Sequence, residues 1–320
     1  MSGPEWHLPD LTGRTYLVTG SNAGLGYFSC EHLVRAGADV IMSARNPARL
    51  AAARAALFRR VPEAADRDAV ESLMLDTSNS GSLRAAAATL RSRGALDGVL
   101  LNAGIVHAPK QRTLTRDGNE LVFATNVLGH FALAGELLPA LAAAGGRMVW
   151  VGSMSTLMWK YDLVDPQLSE GYTPWRAYVQ SKIATSSLGF EADRRLRDAG
   201  VAVASIVAHP GYSTSGRTAG IRGVNSPSRM TRFADNIQAP ITQSKEFGAQ
   251  PLVHALAAPD VDGGEYWGPR GVLRGEPRRG SASRVTQNRE VAARIWDACE
   301  HATGVAWPFA KAARTKRLRR

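Results

Sequence analysis

The chain has 320 residues, 44% of them hydrophobic and 21% charged. That is enough to bury a core without disulfides or metal, and it excludes disordered, collagen-like and small disulfide-stapled classes. The formal charge of +11 points toward nucleic acid until its distribution is read: Lys311, Arg314, Lys316, Arg317, Arg319 and Arg320 crowd the last ten residues and leave +5 on the body.

A short terminal basic run reads as a solvated tail, with weak contact to anionic lipid the most it predicts and no specific nucleic-acid partner. Cys30 and Cys299 are too far apart in sequence for a stapled framework and fit a reducing compartment. The N-terminus shows no basic and apolar leader, and Glu136 interrupts the longest apolar run before it reaches the roughly 18 residues of a spanning helix. A cytoplasmic protein is expected.

Along the chain, β-rich runs alternate with helical patterns, the signature of βαβ units on a parallel sheet. Strands are predicted at 15–19 (TYLVT), 38–43, 72–75, 97–101, 147–151 and 201–207, with helices at 24–35, 47–60, 81–92, 118–143 and 174–199. Six alternating strands imply an α/β, Rossmann-type doubly wound parallel sheet in three layers. After Pro210 the pattern loosens into Gly-, Ser- and Arg-rich sequence up to about residue 240, too long for an ordinary connection and therefore read as a substrate loop. Helical periodicity returns at 244–257 and 288–302, with one more strand at 263–268. These boundaries give one domain over 12–270, containing an insertion at 154–173 and the loop at 212–240, then a C-terminal extension over 271–310 and a basic tail over 311–320.

The turn after the first strand is Thr19-Gly20-Ser21-Asn22-Ala23-Gly24-Leu25-Gly26. Between a strand and a helix, Gly20 permits the tight turn, Gly24 lets backbone approach a pyrophosphate, and Gly26 lets the helix pack on the sheet, while the helix N-terminus faces the anion. Farther on, Tyr178-Val-Gln-Ser-Lys182 puts a phenol and an ammonium one helical turn apart, about 6 Å along the axis. A free tyrosine titrates near 10, so a neighbouring cation that stabilises phenolate makes Tyr178 an acid or base usable near neutral pH; a shift of about 3 units corresponds to roughly 4 kcal/mol. With seven tyrosines in 320 residues, roughly 0.1 chance matches to this spacing are expected.

The glycine spacing T-G-x-x-x-G-x-G and the Tyr-x-x-x-Lys pair resemble the short-chain dehydrogenase/reductase family, with matches over most of residues 12–215. The resemblance implies that Ser153, closing the fifth strand, hydrogen-bonds the substrate carbonyl, with Ser155 the competing choice. It implies that Asn126, in Thr125-Asn126-Val-Leu-Gly129, holds a water in a proton relay to Lys182. Asp76 resembles the acid that binds the adenine amino group, Asn102-Ala103-Gly104 the turn beside the cofactor, and Pro210-Gly211 the loop at the nicotinamide carboxamide, with Thr214 or Ser215 as the hydroxyl. Leu101 stands where that turn usually carries a second asparagine. The 25-residue step from Ser153 to Tyr178 and the Ala44-Arg45 dipeptide look like the retinol dehydrogenase and protochlorophyllide-reductase-like branch.

NAD-specific members carry an acid after the second strand, which would repel a 2′-phosphate; the Arg45 guanidinium can bind one, so NADP(H) is the expected cofactor. Trp159, Trp175, Met154, Met158, Leu157 and Tyr172 predict a pocket for a lipophilic aldehyde, ketone or secondary alcohol, against which stand the arginines at 217, 222, 229 and 232. An extended nucleotide-sugar enzyme would need a different glycine spacing and a larger C-terminal domain, and a redox-sensing module without turnover would be signalled by a lost Tyr or Lys. His107, His130 and His209 supply no metal-ligand spacing and are expected to be structural. The small-molecule substrate, the direction of turnover and any homo-oligomer are left open.

Overall fold

A computed structural model describes residues 6–157, 160–162 and 164–315. Its first half alternates β1 (Thr15–Thr19), α1 (Gly24–Arg35), β2 (Asp39–Ala44), α2 (Pro47–Arg60), β3 (Val70–Met74), α3 (Ser80–Arg91) and β4 (Gly98–Leu101). The second half runs α4 (Gly129–Ala144), β5 (Arg147–Val151), α5 (Pro174–Asp198), β6 (Ala204–Ala208), α6 (Arg229–Ile237), α7 (Lys245–Ala257), β7 (Tyr266–Pro269), β8 (Pro277–Arg279), α8 (Arg289–Thr303) and α9 (Phe309–Thr315). The strands form one sheet in the order β8-β7-β6-β5-β4-β1-β2-β3. Every pairing is parallel except β8 on β7.

The strand runs are apolar at nearly every position because both faces are covered. Tyr16 and Val18 point into a core shared with α1, α2 and α7, whereas Leu17 points into a second core shared with α3, α4, α5 and α8. The same alternation divides Val149 and Val151 from Met148 and Trp150. The sheet order reverses between β1 and β4, and the carboxyl ends of these two strands open the crevice where open α/β sheets bind ligands.

Several expectations are corrected. The helix predicted over 118–143 is broken by a wide π-turn at Ala124–Leu128, a geometry that hydrophobic periodicity does not reveal. The stretch Leu121–Ala144 is long and apolar enough to cross a bilayer by length and composition, with a mean hydropathy of 1.5, but 78% of its most apolar window is buried in the fold and it is a core helix. The loop expected over 212–240 contains α6. The sheet continues past residue 270 through β8. The expected tail over 311–320 begins inside α9, whose buried Ala312 joins the core. An aromatic cluster holds this extension down: Trp296 and Trp307 lie 4.9 and 5.6 Å from the Phe131 ring, centroid to centroid. A Cβ on Gly135 of α4 would come within 2.7 Å of the Trp307 ring, so this approach requires glycine.

Candidate active site

At the glycine turn the backbone is committed to one shape. Gly20 has φ +67° and Gly24 φ +59°, and a Cβ on Gly20 would meet the Ala103 backbone at 2.8 Å. A Cβ on Gly26 would meet the Asn102 amide and the Gly20 carbonyl at 2.5 Å. Side chains cap α2, α3, α5, α6, α7 and α8, whereas α1 begins after Ala23 with no side-chain cap. Its first-turn N–H groups are therefore left to an anion. Asn22 is half-buried on this turn and Leu25 packs on the core. The Ser21 hydroxyl is occupied, donating to the Ser43 carbonyl at 3.2 Å.

The turn after β4 is tied to this loop. Asn102 donates its side-chain amide to the Thr19 carbonyl at 2.7 Å, and the N–H groups of Asn102 and Ala103 donate to Thr19 Oγ1 at 2.8 and 2.9 Å. His130 links the two halves of the site. A carbonyl only accepts, so Nδ1 carries the proton given to the Asn126 carbonyl at 3.2 Å, and Nε2 accepts from the Thr19 hydroxyl at 3.1 Å. Burial first, then the Lys182 charge, holds its pKa down at about 3, so the ring is neutral.

Of the four residues singled out for chemistry, Ser153 after β5 and Tyr178 on α5 meet directly, while Lys182 is bonded to the end of β5 and Asn126 to Ser181 of α5. The Tyr178 hydroxyl donates to Ser153 Oγ at 3.3 Å, and the Ser155 hydroxyl lies behind, donating to Ser153 Oγ at 2.9 Å. Ser153, not Ser155, therefore touches the phenol. Asn126 sits in the π-turn. It exchanges hydrogen bonds with the Ile105 backbone and donates to Ser181 Oγ at 2.9 Å, one helical turn below Tyr178. Lys182 Nζ donates to the Val151 carbonyl at 2.7 Å, and burial pulls its pKa down to about 8. The expected depression of the Tyr178 pKa by Lys182 is not found: burial raises the phenol, the Ser153 hydrogen bond opposes it only in part, and the ammonium is turned to backbone instead.

On the third side, Gly211 (φ +64°) stands where a Cβ would meet the Leu273 carbonyl at 2.3 Å. The Pro210 carbonyl accepts from Ser213 Oγ and Gln243 Nε2. Of the two hydroxyls left open in the sequence, Thr214 Oγ1 is buried and finds no partner among the described residues, which suits a ligand amide. Asp76 gives one carboxylate oxygen to the Ser78 N–H and hydroxyl. Arg45 is exposed at the end of β2, and no hydrogen bond or ion pair to another described residue holds it.

A family model described as short chain dehydrogenase matches residues 14–222. The chain belongs to the short-chain dehydrogenase family. Retinol dehydrogenase 14 of Mus musculus is 31% identical over 305 residues, covering 92% of this chain and 87% of that protein. Polyprenol dehydrogenase of Mus musculus is 32% identical, covering 90% and 83%, and a probable oxidoreductase of Streptomyces lividans 34% identical, covering 90% and 97%. The crystal structure of an uncharacterized protein from Mycobacterium paratuberculosis superimposes with a TM-score of 0.73 at 32% identity, covering 95% of this chain and 99% of that one. The Pseudomonas aeruginosa RhlG/NADP active-site complex shares the fold, with a TM-score of 0.59 at 24% identity, covering 81% and 95%. The resemblance to the retinol dehydrogenase-like branch is thereby shown, as are the fold class and oxidoreductase membership.

One residue at the glycine turn has no signal in the sequence. Lys245, at the start of α7, lies against the glycine turn, so that a Cβ on Gly24 would stand 3.5 Å from its Nζ. Its N–H is fixed by Thr218 Oγ1 at 2.9 Å, and burial lowers its pKa while Asp235 opposes that. It puts a cation at the glycine turn from 221 residues away in sequence, a juxtaposition that no local signal carries. The insertion over 154–173 builds the remaining wall: Leu168 and Tyr172 pack with Val122, Ala177 and Ile105, and the Tyr172 hydroxyl donates to the Pro109 carbonyl. Trp175, 46% exposed, has its ring 6.1 Å from that of Tyr178, and Leu157 is 65% exposed, whereas Met158 and Trp159 lie outside the described residues. A separate cavity of about 420 Å³, lined by Ser78, Arg84, Asn119, Glu136 and Val305 among others, excludes Tyr178 and Ser153 and is not this site.

Proposed function

We propose that this short-chain dehydrogenase moves a hydride between NADP(H) and a lipophilic aldehyde, ketone or secondary alcohol. The observation that carries the proposal is the contact of the Tyr178 hydroxyl with Ser153 Oγ at 3.3 Å, beside a buried lysine and an asparagine held in a π-turn. Ser153 hydrogen-bonds the carbonyl oxygen, and Tyr178 Oη passes its proton to that oxygen as the carbon is reduced. Burial keeps the phenol protonated at neutral pH, which suits the acid needed for reduction. Lys182 stabilises the phenolate left behind, and Asn126 holds the α5 end of the proton path through Ser181.

When bound, the nicotinamide supplies or accepts the hydride. The uncapped α1 terminus with Gly20, Gly24 and Gly26 fits the pyrophosphate, Lys245 adds a cation there, and Arg45 is free to meet a 2′-phosphate. Asp76, the turn Asn102-Ala103-Gly104 and Thr214 near Pro210 and Gly211 fit the adenine, the inner ribose and the carboxamide. The Trp175 ring beside Tyr178 and the apolar wall of Leu168 and Tyr172 favour a lipophilic substrate, as do the names of two relatives, retinol dehydrogenase and polyprenol dehydrogenase.

The test is kcat/KM with NADPH across straight-chain aldehydes of about four to twelve carbons. Each buried methylene is worth about 0.8 kcal/mol, so a rise of about two- to fourfold per carbon is expected until the pocket is filled. A flat series, or anionic substrates outperforming neutral ones, overturns the lipophilic assignment.

A further inference from the structure

The insertion over 154–173 has both feet at the reacting groups: the chain leaves the site after Ser153 and returns to it just before Tyr178. Between them it wraps the first turns of α5. Gln180 and Arg176 stand two residues to either side of Tyr178, each about 160° round the helix from it, and so share the opposite face. Gln180 is 3% exposed, and both ends of its amide are taken by the insertion. Its Oε1 accepts from the Asp162 N–H at 3.0 Å, and its Nε2 donates to the Asp162 and Asp165 carbonyls at 3.3 and 3.4 Å.

The Asp162 carboxylate closes the turn that follows it, accepting from the Val164 and Asp165 N–H groups at 3.0 Å each and from the Arg176 guanidinium at 2.7 Å. Arg176 also donates to the Gly171 carbonyl at 3.0 Å, so one side chain ties the outgoing leg of the insertion to the returning one. The far end is pinned to a different segment: Gln167 accepts from the Glu120 N–H at 2.8 Å and donates to Asn119 Oδ1 at 2.9 Å. The insertion is therefore a collar, fastened behind α5 by Gln180 and Arg176 and in front by Gln167.

An apolar side chain of the same size would fill the space behind Tyr178. An amide does more, because its donors and acceptor are satisfied together in only one placement of the loop. We propose that Gln180 is a positioning residue for specificity: by locking Asp162 and Asp165 to the back of α5 it fixes the wall between Ser153 and Tyr178, and with it the length of substrate the site accepts. This rests on the lipophilic carbonyl proposed above and names the residue that sets its reach. The hydrogen bonds of the Gln180 side chain go to the insertion, and none among the described residues goes to Ser153, Tyr178 or Lys182, so the chemical step is left intact when they are lost.

The experiment is steady-state kinetics of Q180L and R176A with NADPH and the straight-chain aldehydes, beside NADPH affinity by nicotinamide fluorescence. With an aldehyde of about four carbons, kcat, KM and NADPH affinity of Q180L are expected within about twofold of wild type. With about twelve carbons, KM is expected to rise at least about fivefold while kcat stays within about twofold, which flattens the gain per carbon. R176A opens the same collar from a half-buried position and should shift KM in the same direction, and Q180L/R176A should be no worse than Q180L, since both release one loop. Amide hydrogen exchange should quicken over 160–172 in Q180L and stay unchanged along α5.

A chain-length series in Q180L parallel to that of wild type overturns the proposal and leaves the lipophilic substrate standing. So does a kcat lowered alike for every substrate, which would make Gln180 a structural residue only. A flat wild-type series overturns the lipophilic substrate instead; the proposal is then read from the KM ratio between the bulkiest and the smallest carbonyl turned over, and an unchanged ratio in Q180L overturns it. If Q180L does not fold, R176A carries the same comparison, with an unchanged KM series as the overturning result.

Discussion

The ammonium of Lys182 donates to the carbonyl of Val151 at 2.7 Å, on the strand next to the serine that Tyr178 touches. A cation is thus stored in the core, with burial drawing its pKa from 10.5 to about 8. That shift corresponds to about 3 kcal/mol held against the fold at neutral pH, offset in part by the hydrogen bond. Lys182→Met should therefore raise the melting temperature at pH 7 by several degrees while removing turnover. The sign with pH follows: the folded protein loses this proton above about 8 while the unfolded chain keeps it to 10.5, so the variant's advantage should shrink as pH rises through that window. A melting temperature below wild type at pH 7 would show that the lysine stabilises the site instead.

Tyr178→Phe removes the hydroxyl and keeps the ring, which packs 6.1 Å from Trp175. Turnover should fall at least about a hundredfold with NADPH affinity nearly unchanged, as measured by nicotinamide fluorescence. Ser153→Ala should follow it and Ser155→Ala should not, because only Ser153 meets the phenol. Turnover of Tyr178→Phe within a few-fold of wild type would remove the assignment of the acid.

Arg45 and Lys245 should separate two kinds of phosphate contact. Arg45→Ala is expected to weaken NADPH about tenfold and leave NADH unchanged, while Lys245→Ala weakens both alike, because the pyrophosphate is common to them. An acid to favour NADH belongs at position 45, since Ala44 is only 4% exposed and a carboxylate there would be buried. Equal NADH and NADPH affinities in wild type would refute the preference.

Acid should loosen the site first. Burial holds His130 at about 3 and His209 at about 4, each against an ordinary 6.5. Between those values the unfolded chain takes up protons that the fold refuses, so stability falls as pH drops below 6.5, by on the order of 5 kcal/mol at about pH 4.5 for the pair. His130→Gln keeps a donor and an acceptor between Asn126 and Thr19 and should flatten the fall of melting temperature below pH 6. An unchanged slope would place the acid lability elsewhere.

The sequence by itself determined the parts whose physics is local. The strands at 15–19 and 147–151 and the helix that carries Tyr178 and Lys182 follow from apolar runs and one-turn spacing, and the glycine turn follows from conformations open to Gly20 and Gly24. Asn126 was legible as a residue but not as a π-turn, because widening one turn leaves the apolar pattern intact while freeing a carbonyl for Thr185 and His130. Only the tertiary structure decided which groups distant in sequence meet at the site. It brought Lys245 to Gly24, turned Lys182 toward Val151 instead of the phenol, and left Thr214 Oγ1 without a partner. It also decided the orientation of α6: periodicity specifies an apolar stripe, but which stripe meets the protein depends on Asp235 finding the Gly216 N–H, nineteen residues away.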